Sequence, residues 1–330
     1  MMSKEEKAIQ WAYQYLSSHG YTLKNNQPEI IQSTPWSQVV RFAISDGWIY
    51  LKCTPKLIAL EADIIPILRQ YTSSVPVVIA KNTELDCFLM KDAGTSLREI
   101  LKRKFDAELF CMAIDQFTSL QISVADHVDS LFDIGVPDWR LNKLPDLYMQ
   151  LLMQEKHLLM EDGLSENEII QLENLYPVIT DLCIKLSGYA IKQTIVQPDF
   201  NDNNSLIDDA YKHITIVDLG EISISHPFFS LINGLLQMKK HHGLKDEDEA
   251  YLEIKDACLN NYLVFESREH LLSAFDLARL LWPVYWALAH YRLMMACGKE
   301  RLMSFHGHGK LAGQLRVIIN NAALKGSILS

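Results

Sequence analysis

Paired cysteines, a signal core, a membrane-length apolar run and a basic stripe are all missing from this 330-residue chain. The six cysteines (Cys53, Cys87, Cys111, Cys183, Cys258 and Cys297) are scattered, with no CxxC or CxxH spacing. No disulfide framework and no zinc site are therefore expected, and cysteines inside apolar runs act as small hydrophobes. The opening MMSKEEKAIQ lacks the apolar core of a secretory signal, so secretion is not expected. The best membrane candidate, between Arg279 and Arg292, has 12 residues, and a span needs about 20. Lys and Arg number 31 against 41 Asp and Glu, a formal charge of −10, which argues against a phosphate-backbone binder. Internal repeats and low-complexity tracts are absent too. The expectation is a soluble, cytoplasmic protein with no nucleic-acid and no membrane partner.

What is present is ordinary globular stock, 48% apolar and 22% charged, long enough for about two domains. The charge is uneven. Residues 1–94 hold nine basic and nine acidic side chains, so the whole −10 falls on residues 95–330. That part would welcome a cationic ligand, although runs such as Asp246-Glu247-Asp248-Glu249 also read as a solvated acidic surface.

Ser3 and Glu6 form a capping-box pattern ahead of Ala8, Ile9, Ala12, Tyr15 and Leu16, and Gly20 stops that helix. Residues 38–45 and 48–53 read as strands flanking Asp46-Gly47, a hairpin signal. Residues 57–71 read as helix, with Pro66 expected to kink it or begin a new one. Two β runs follow at 75–80 and 86–90, then Ala93-Gly94. Beyond Gly94 the pattern turns helical: a second capping box at Ser96 and Glu99, then helices at 107–122, 164–188, 227–240, 250–264 and 268–297. The short β runs 194–197 and 213–219 read as one hairpin within this helical part. A β-rich unit joined to a helical one at residues 90–94 places a ligand cleft between them.

The segment richest in chemistry is 197–221, QPDFNDNNSLIDDAYKHITIVDLGE. Asp199 and Asn204 lie five apart in a loop, and Asp218 ends the following β run, with Gly220 and Glu221 behind it. Three side-chain oxygens gathered around a hairpin suit Mg²⁺, which takes a few protein oxygens and completes its shell with phosphates. Asn and Asp also favour loops for turn chemistry alone.

The pattern resembles the catalytic and metal-binding loops of the aminoglycoside phosphotransferase/choline kinase family, which typically read H-G-D-F-H-x-x-N and then I-D-W-G-D. Here they read Gln197-Pro198-Asp199-Phe200-Asn201-Asp202-Asn203-Asn204 and Val217-Asp218-Leu219-Gly220-Glu221. Ser225-His226-Pro227-Phe228-Phe229-Ser230-Leu231 is similar to the family's G-D-P-x-x-D-L-A helix start. Lys52, ending the second hairpin strand, and Glu61, nine residues on, resemble the kinase lysine that holds the α/β-phosphates and the helix glutamate that fixes it. Phe88 to Gly94 resembles the hinge, and the resemblance spans about residues 30–300.

The resemblance implies an α+β, protein-kinase-like fold: a small β-rich nucleotide-binding lobe (1–93) and a larger, mainly helical catalytic and substrate-binding lobe (94–330). It implies ATP and Mg²⁺ as cofactors. Asp199 would be the catalytic base on an acceptor hydroxyl. Asn204 and Asp218 would hold the metal, with Glu221 helping, and Lys52, Glu61 and Ser37 would serve the phosphates. Backbone groups of Lys91 and Ala93 would meet the adenine.

Three departures stand out. Gln197 replaces the usual His, Ser230 replaces a common Asp, and the turn Ser33-Thr34-Pro35-Trp36-Ser37-Gln38 contains no glycine. The implied activity is transfer of the ATP γ-phosphate to a hydroxyl of a small, amine-bearing molecule. The departures also motivate a nucleotide-binding pseudokinase that regulates a partner. A protein kinase is disfavoured, because the chain has no A-P-E segment and no long activation loop. Trp282, Tyr285 and Trp286 offer either an aromatic wall for a cation or core packing, and His241, His242, His306 and His308 read as solvated.

Overall fold

The computed structural model describes residues 2–25, 27–208, 210 and 213–321. Helix α1 (Lys4–Ser18) begins at the expected capping box: Ser3 Oγ accepts from Glu6 N, and Glu6 accepts from Ser3 N. Strands β1 (Glu29–Ser33), β2 (Gln38–Ile44), β3 (Gly47–Cys53), β4 (Val78–Asn82) and β5 (Cys87–Lys91) follow, with α2 (Glu61–Leu68) between β3 and β4. They form one antiparallel sheet in the order β1-β2-β3-β5-β4.

Strand alternation decides what each face meets. Val40, Phe42, Ile49, Leu51 and Leu89 cover one face and pack with Ala8, Ala12 and Leu16, spaced four apart on α1. Lys52 falls between Leu51 and Cys53 and so serves the opposite face, toward α2. The β2–β3 hairpin forms, but Ile44 pairs with Gly47, so the loop is Ser45-Asp46 and Gly47 takes a φ of +124°. The run 57–71 breaks at Ala59–Leu60, after a 3₁₀ turn at Lys56–Ile58, so Pro66 sits inside α2 rather than at the break.

A short hinge leads to β6 (Thr95–Ser96), α3 (Leu97–Arg103), α4 (Ala107–Val124), α5 (Asp129–Asp133), α6 (Leu144–Gln154) and α7 (Lys156–Glu161). The predicted helix 164–188 is two helices, α8 (Glu166–Asn174) and α9 (Tyr176–Ser187), with Pro177 in the first turn of the second. The Ser96–Glu99 capping box does not form: Ser96 Oγ donates to the Asp202 carbonyl at 3.4 Å instead.

Four short strands come next, β7 (Thr194–Val196), β8 (Ser205–Ile207), β9 (Ile214–Ile216) and β10 (Ser223–Ser225). The two β runs expected to make one hairpin do not pair with each other. β7 pairs with β10, while β9 pairs with β8 and β8 with β6. The chain ends with α10 (Phe228–His242), α11 (Glu249–Asn260), α12 (Arg268–Cys297), α13 (Lys299–His306) and α14 (Lys310–Asn320). Helix α12 is long and apolar enough to cross a membrane by length and composition, but 56% of its most apolar window is buried inside the protein. Its Leu281, Val284 and Tyr285 belong to the core, so its hydropathy is explained by packing.

Gly94 fixes the hinge. Its φ is +104°, and a Cβ there would lie 2.0 Å from the Ile207 carbonyl oxygen on β8. Gly94→Ala is expected to push the hinge off β8 and cost about 1–3 kcal/mol, read as a lowered midpoint in thermal melting. An unchanged melt would mean that this close approach is dispensable.

Candidate active site

Lys52 is 5% exposed and its Nζ lies 2.5 Å from Glu61 Oε2 and 2.6 Å from Asp218 Oδ1. Burial works to lower its pKa, but the Asp218 and Glu61 carboxylates outweigh burial and hold it above the ordinary value. The other oxygen of Glu61 accepts from Leu219 N at 3.0 Å. One buried glutamate thus ties α2 to both the lysine and the segment after β9. Gly220 lets that segment come so close: a Cβ there would sit 2.7 Å from the Ile58 carbonyl oxygen.

Asp218 adopts a left-handed backbone, φ +64°, costly for a residue with a side chain. Gln197 braces it, its Nε2 donating to the Val217 carbonyl at 2.8 Å and the Asp218 carbonyl at 3.0 Å. Gln197 N in turn donates to Ser230 Oγ at 2.8 Å, from α10. Both departures from the family pattern therefore occupy bracing positions with hydrogen bonds of ordinary length.

Phe200, fully buried and stacked on Phe117 at 4.4 Å between ring centroids, anchors the loop that carries Asp199. Asn201 Nδ2 donates to Asp199 Oδ1 at 2.9 Å and Asn204 Nδ2 to Asp199 Oδ2 at 3.1 Å. The carboxylate is thereby oriented from both sides, while the residue remains exposed. The protein packed around the cleft floor and the Asp218 charge push its pKa up, to about 6, against the pull of the Asn204 amide. Water in the open cleft opposes the first of these causes.

Glu221 lies in the same field. Burial, Asp218 and Asp199 push its pKa up to about 8, with Arg292 the strongest opposing charge. Arg292 NH1 also donates to the Glu221 and Ile222 carbonyls, at 3.0 and 3.1 Å. A carboxyl whose folded pKa is raised is favoured protonated, so its folded-state penalty is absent below its unfolded pKa and grows as pH climbs toward 8. Glu221→Gln is expected to make the ligand-free protein more stable at pH 8, by on the order of 2–4 °C, with little change at pH 4.5. Melting curves at the two pH values check this, and equal shifts at both would locate the effect in packing.

The arrangement suits a magnesium ion. Asn204 spends its Nδ2 on Asp199, which leaves Oδ1 for a cation, and the Asn204 carbonyl accepts from Val217 N at 2.9 Å, which brings it beside Asp218. Among the described residues, no three His, Cys, Asp or Glu side chains form a ready-made metal cage. One amide oxygen and one carboxylate, completed by phosphate oxygens and water, is the sparse protein share that magnesium takes.

The remaining predicted residues are placed less centrally. Ser37 is 5% exposed and its Oγ has no partner. Thr34 holds the glycine-free turn by donating from N and Oγ1 to the Ser37 carbonyl, at 2.9 and 3.1 Å. Ser37 lines a cavity of about 540 Å³ with the start of α1, Cys297 and Arg301, and Lys52, Asp199 and Asp218 are not among its lining residues. Lys91 N donates to the Val77 carbonyl at 2.9 Å, so its amide is engaged within the sheet region.

Tyr285 takes the core alternative of its sequence reading, and two histidines depart from their solvated one. Tyr285 is core, stacked on Phe229 at 4.9 Å with its hydroxyl 3.0 Å from Ser223 Oγ. Trp286 stacks on His290 at 4.8 Å. His306 is not solvated: it lies 4.9 Å from Trp36, and Phe305 meets the same ring edge-on at 5.3 Å, so the turn before β2 rests on α13. His242 is buried against Asp202. Apart from Trp286 and His290, four positions apart on one helix, these contacts join residues 40 to 270 positions apart, and nothing local in the sequence signals them.

No family model matches the sequence, and no curated protein matches it. Solved structures do. A type I macrolide 2'-phosphotransferase superposes with a TM-score of 0.58 at 11% identity, over 92% of this chain and 96% of that one. The gentamicin complex of APH(2")-IIa gives 0.57 at 16% identity, over 93% and 95%. An ethanolamine kinase from Plasmodium vivax gives 0.54 at 12% identity, over 92% and 89%. The fold is therefore the protein-kinase-like α+β fold that these proteins share, with a sheet-based small lobe and a mainly helical remainder.

Proposed function

We propose that the chain is a small-molecule kinase of the aminoglycoside phosphotransferase/choline kinase type, moving the γ-phosphate of ATP to an acceptor hydroxyl. The observation that carries this reading is the pairing of Lys52, held by Glu61 and Asp218, with Asp199, which is exposed with both carboxylate oxygens oriented by amides. Lys52 meets phosphate oxygens. Asp199 accepts the proton of the acceptor hydroxyl, and a pKa near 6 leaves it ionised at neutral pH while matching the task of a base. Asn204 and Asp218 would hold magnesium, which supplies charge neutralisation on the phosphates when bound. Gln197 and Glu61 keep these groups in register before any ligand arrives, the positioning on which phosphoryl transfer depends.

The acceptor we favour carries an amine. The Asp218 charge raises the cost of ionising Asp199, both raise that of Glu221, and a nearby ammonium lowers these costs. The gentamicin bound in one of the similar structures and the ethanolamine kinase among them point the same way, whereas the macrolide enzyme keeps other acceptors in the test. The pseudokinase reading loses much of its motive, since Gln197 and Ser230 fill bracing positions. The experiment is ADP release from Mg-ATP across aminoglycosides, macrolides, amino alcohols and sugar alcohols, with Asp199→Asn as the blank. A hit lost in the variant supports the kinase. Silence across the panel, with Mg-ATP still bound, returns the pseudokinase to the front.

A further inference from the structure

The most thoroughly buried charge near the site belongs to a residue outside the catalytic set. Asp202 is 0% exposed. Arg98, the second residue of α3, donates to Asp202 Oδ1 from Nε at 2.9 Å and from NH2 at 2.6 Å. His242, the last residue of α10 with a side chain only 5% exposed, donates from Nε2 to Asp202 Oδ2 at 2.7 Å. Both carboxylate oxygens are thus bound, by side chains from two helices 144 positions apart in the chain.

The cluster continues toward the chemistry. Arg98 NH2 also donates to Asn201 Oδ1 at 3.2 Å. That same oxygen accepts from Asn203 N at 2.7 Å and Asn204 N at 3.2 Å, while Asn201 Nδ2 grips Asp199 Oδ1. Asn201 is therefore fixed at its oxygen by Arg98 and at its nitrogen by the base.

We propose that Arg98 and His242 are positioning residues for phosphoryl transfer: clamped on Asp202, they hold the Asn201–Asn204 turn so that Asp199 and Asn204 keep their aim. This rests on the reading of Asp199 as the base. A buried carboxylate that loses one partner is left uncompensated, so the clamp works only as a unit. An error of about 1 Å in aim is worth roughly 10²-fold in turnover.

The test compares Arg98→Ala, Arg98→Lys, His242→Ala and His242→Gln with wild type and Asp199→Asn. Three quantities are read: Mg-ATP hydrolysis with water as acceptor, the affinity for ATP with and without Mg²⁺, and amide exchange across residues 197–207. Both alanine variants should lose roughly 10–100-fold in kcat, keep the KM for ATP within about twofold, and exchange faster in that segment alone. His242→Gln keeps an N–H for Asp202 and should recover most of the loss. Where Asp199→Asn turns over like wild type, the reading of Asp199 fails on its own, and exchange together with the Mg²⁺-dependence of ATP binding still decides the clamp. Unchanged exchange and turnover in both alanine variants would overturn it. So would glutamine and alanine at 242 behaving alike, or exchange rising evenly through the whole chain, since either marks a residue that merely supports the fold.

Discussion

Asp199→Asn is expected to keep ATP affinity and lose roughly 10²–10⁴ in turnover, the usual worth of a positioned general base. The substitution is nearly isosteric, and the Asn201 and Asn204 amides would still find an oxygen at 199. The loop should therefore remain in place while the proton acceptor is removed. The variant also relieves repulsion with Asp218 and Glu221, so nucleotide binding should hold or tighten slightly. Steady-state kinetics with the acceptor found by ADP release, beside a nucleotide titration, check both halves. Unchanged turnover would remove Asp199 from the mechanism, and lost turnover with equally lost ATP binding would make it a structural member of the loop.

Such a prediction could be framed from the sequence because the residues that do chemistry here are brought together by short-range rules. Lys52 lies on a strand beside a hairpin signal and Glu61 begins the next helix, so their meeting follows from one strand, one turn and one helix start. Asp199 and Asn204 share a turn, and Asp218 lies two residues past the strand β9 that returns beside it. The supporting contacts were not legible in this way. Gln197 reads as a lost histidine until its amide is seen on the carbonyls of Val217 and Asp218. His242 follows another histidine and precedes a glycine at a helix end, a setting that looks solvated, and only the docking of α10 on the catalytic loop buries it. Strand β8 hides in a segment opening with asparagines, whose turn preference outweighs three residues of β pattern, and its existence depends on β6 and β9 pairing on both sides. Pairing partners and buried charges are set by tertiary packing, which periodicity does not encode.

Lys52→Met should have the other large effect, and on two quantities at once. Lys52 is the cation shared by Glu61, 1% exposed, and Asp218. Removing one member of a buried ion pair typically costs about 3–5 kcal/mol, because the partner keeps its burial and loses its compensation. Asp218 is 29% exposed at its side chain and can turn to water, so the penalty falls mainly on Glu61. Thermal melting of the ligand-free variant should drop accordingly, and Glu61→Gln in the Lys52→Met background should recover part of the drop by removing the stranded charge. ATP affinity should fall in both variants, since neither restores the cation proposed to meet the phosphates. This split separates the two roles of the lysine. Recovery of stability without recovery of ATP binding places Lys52 on the nucleotide, whereas recovery of both would make it only the counter-ion of Glu61.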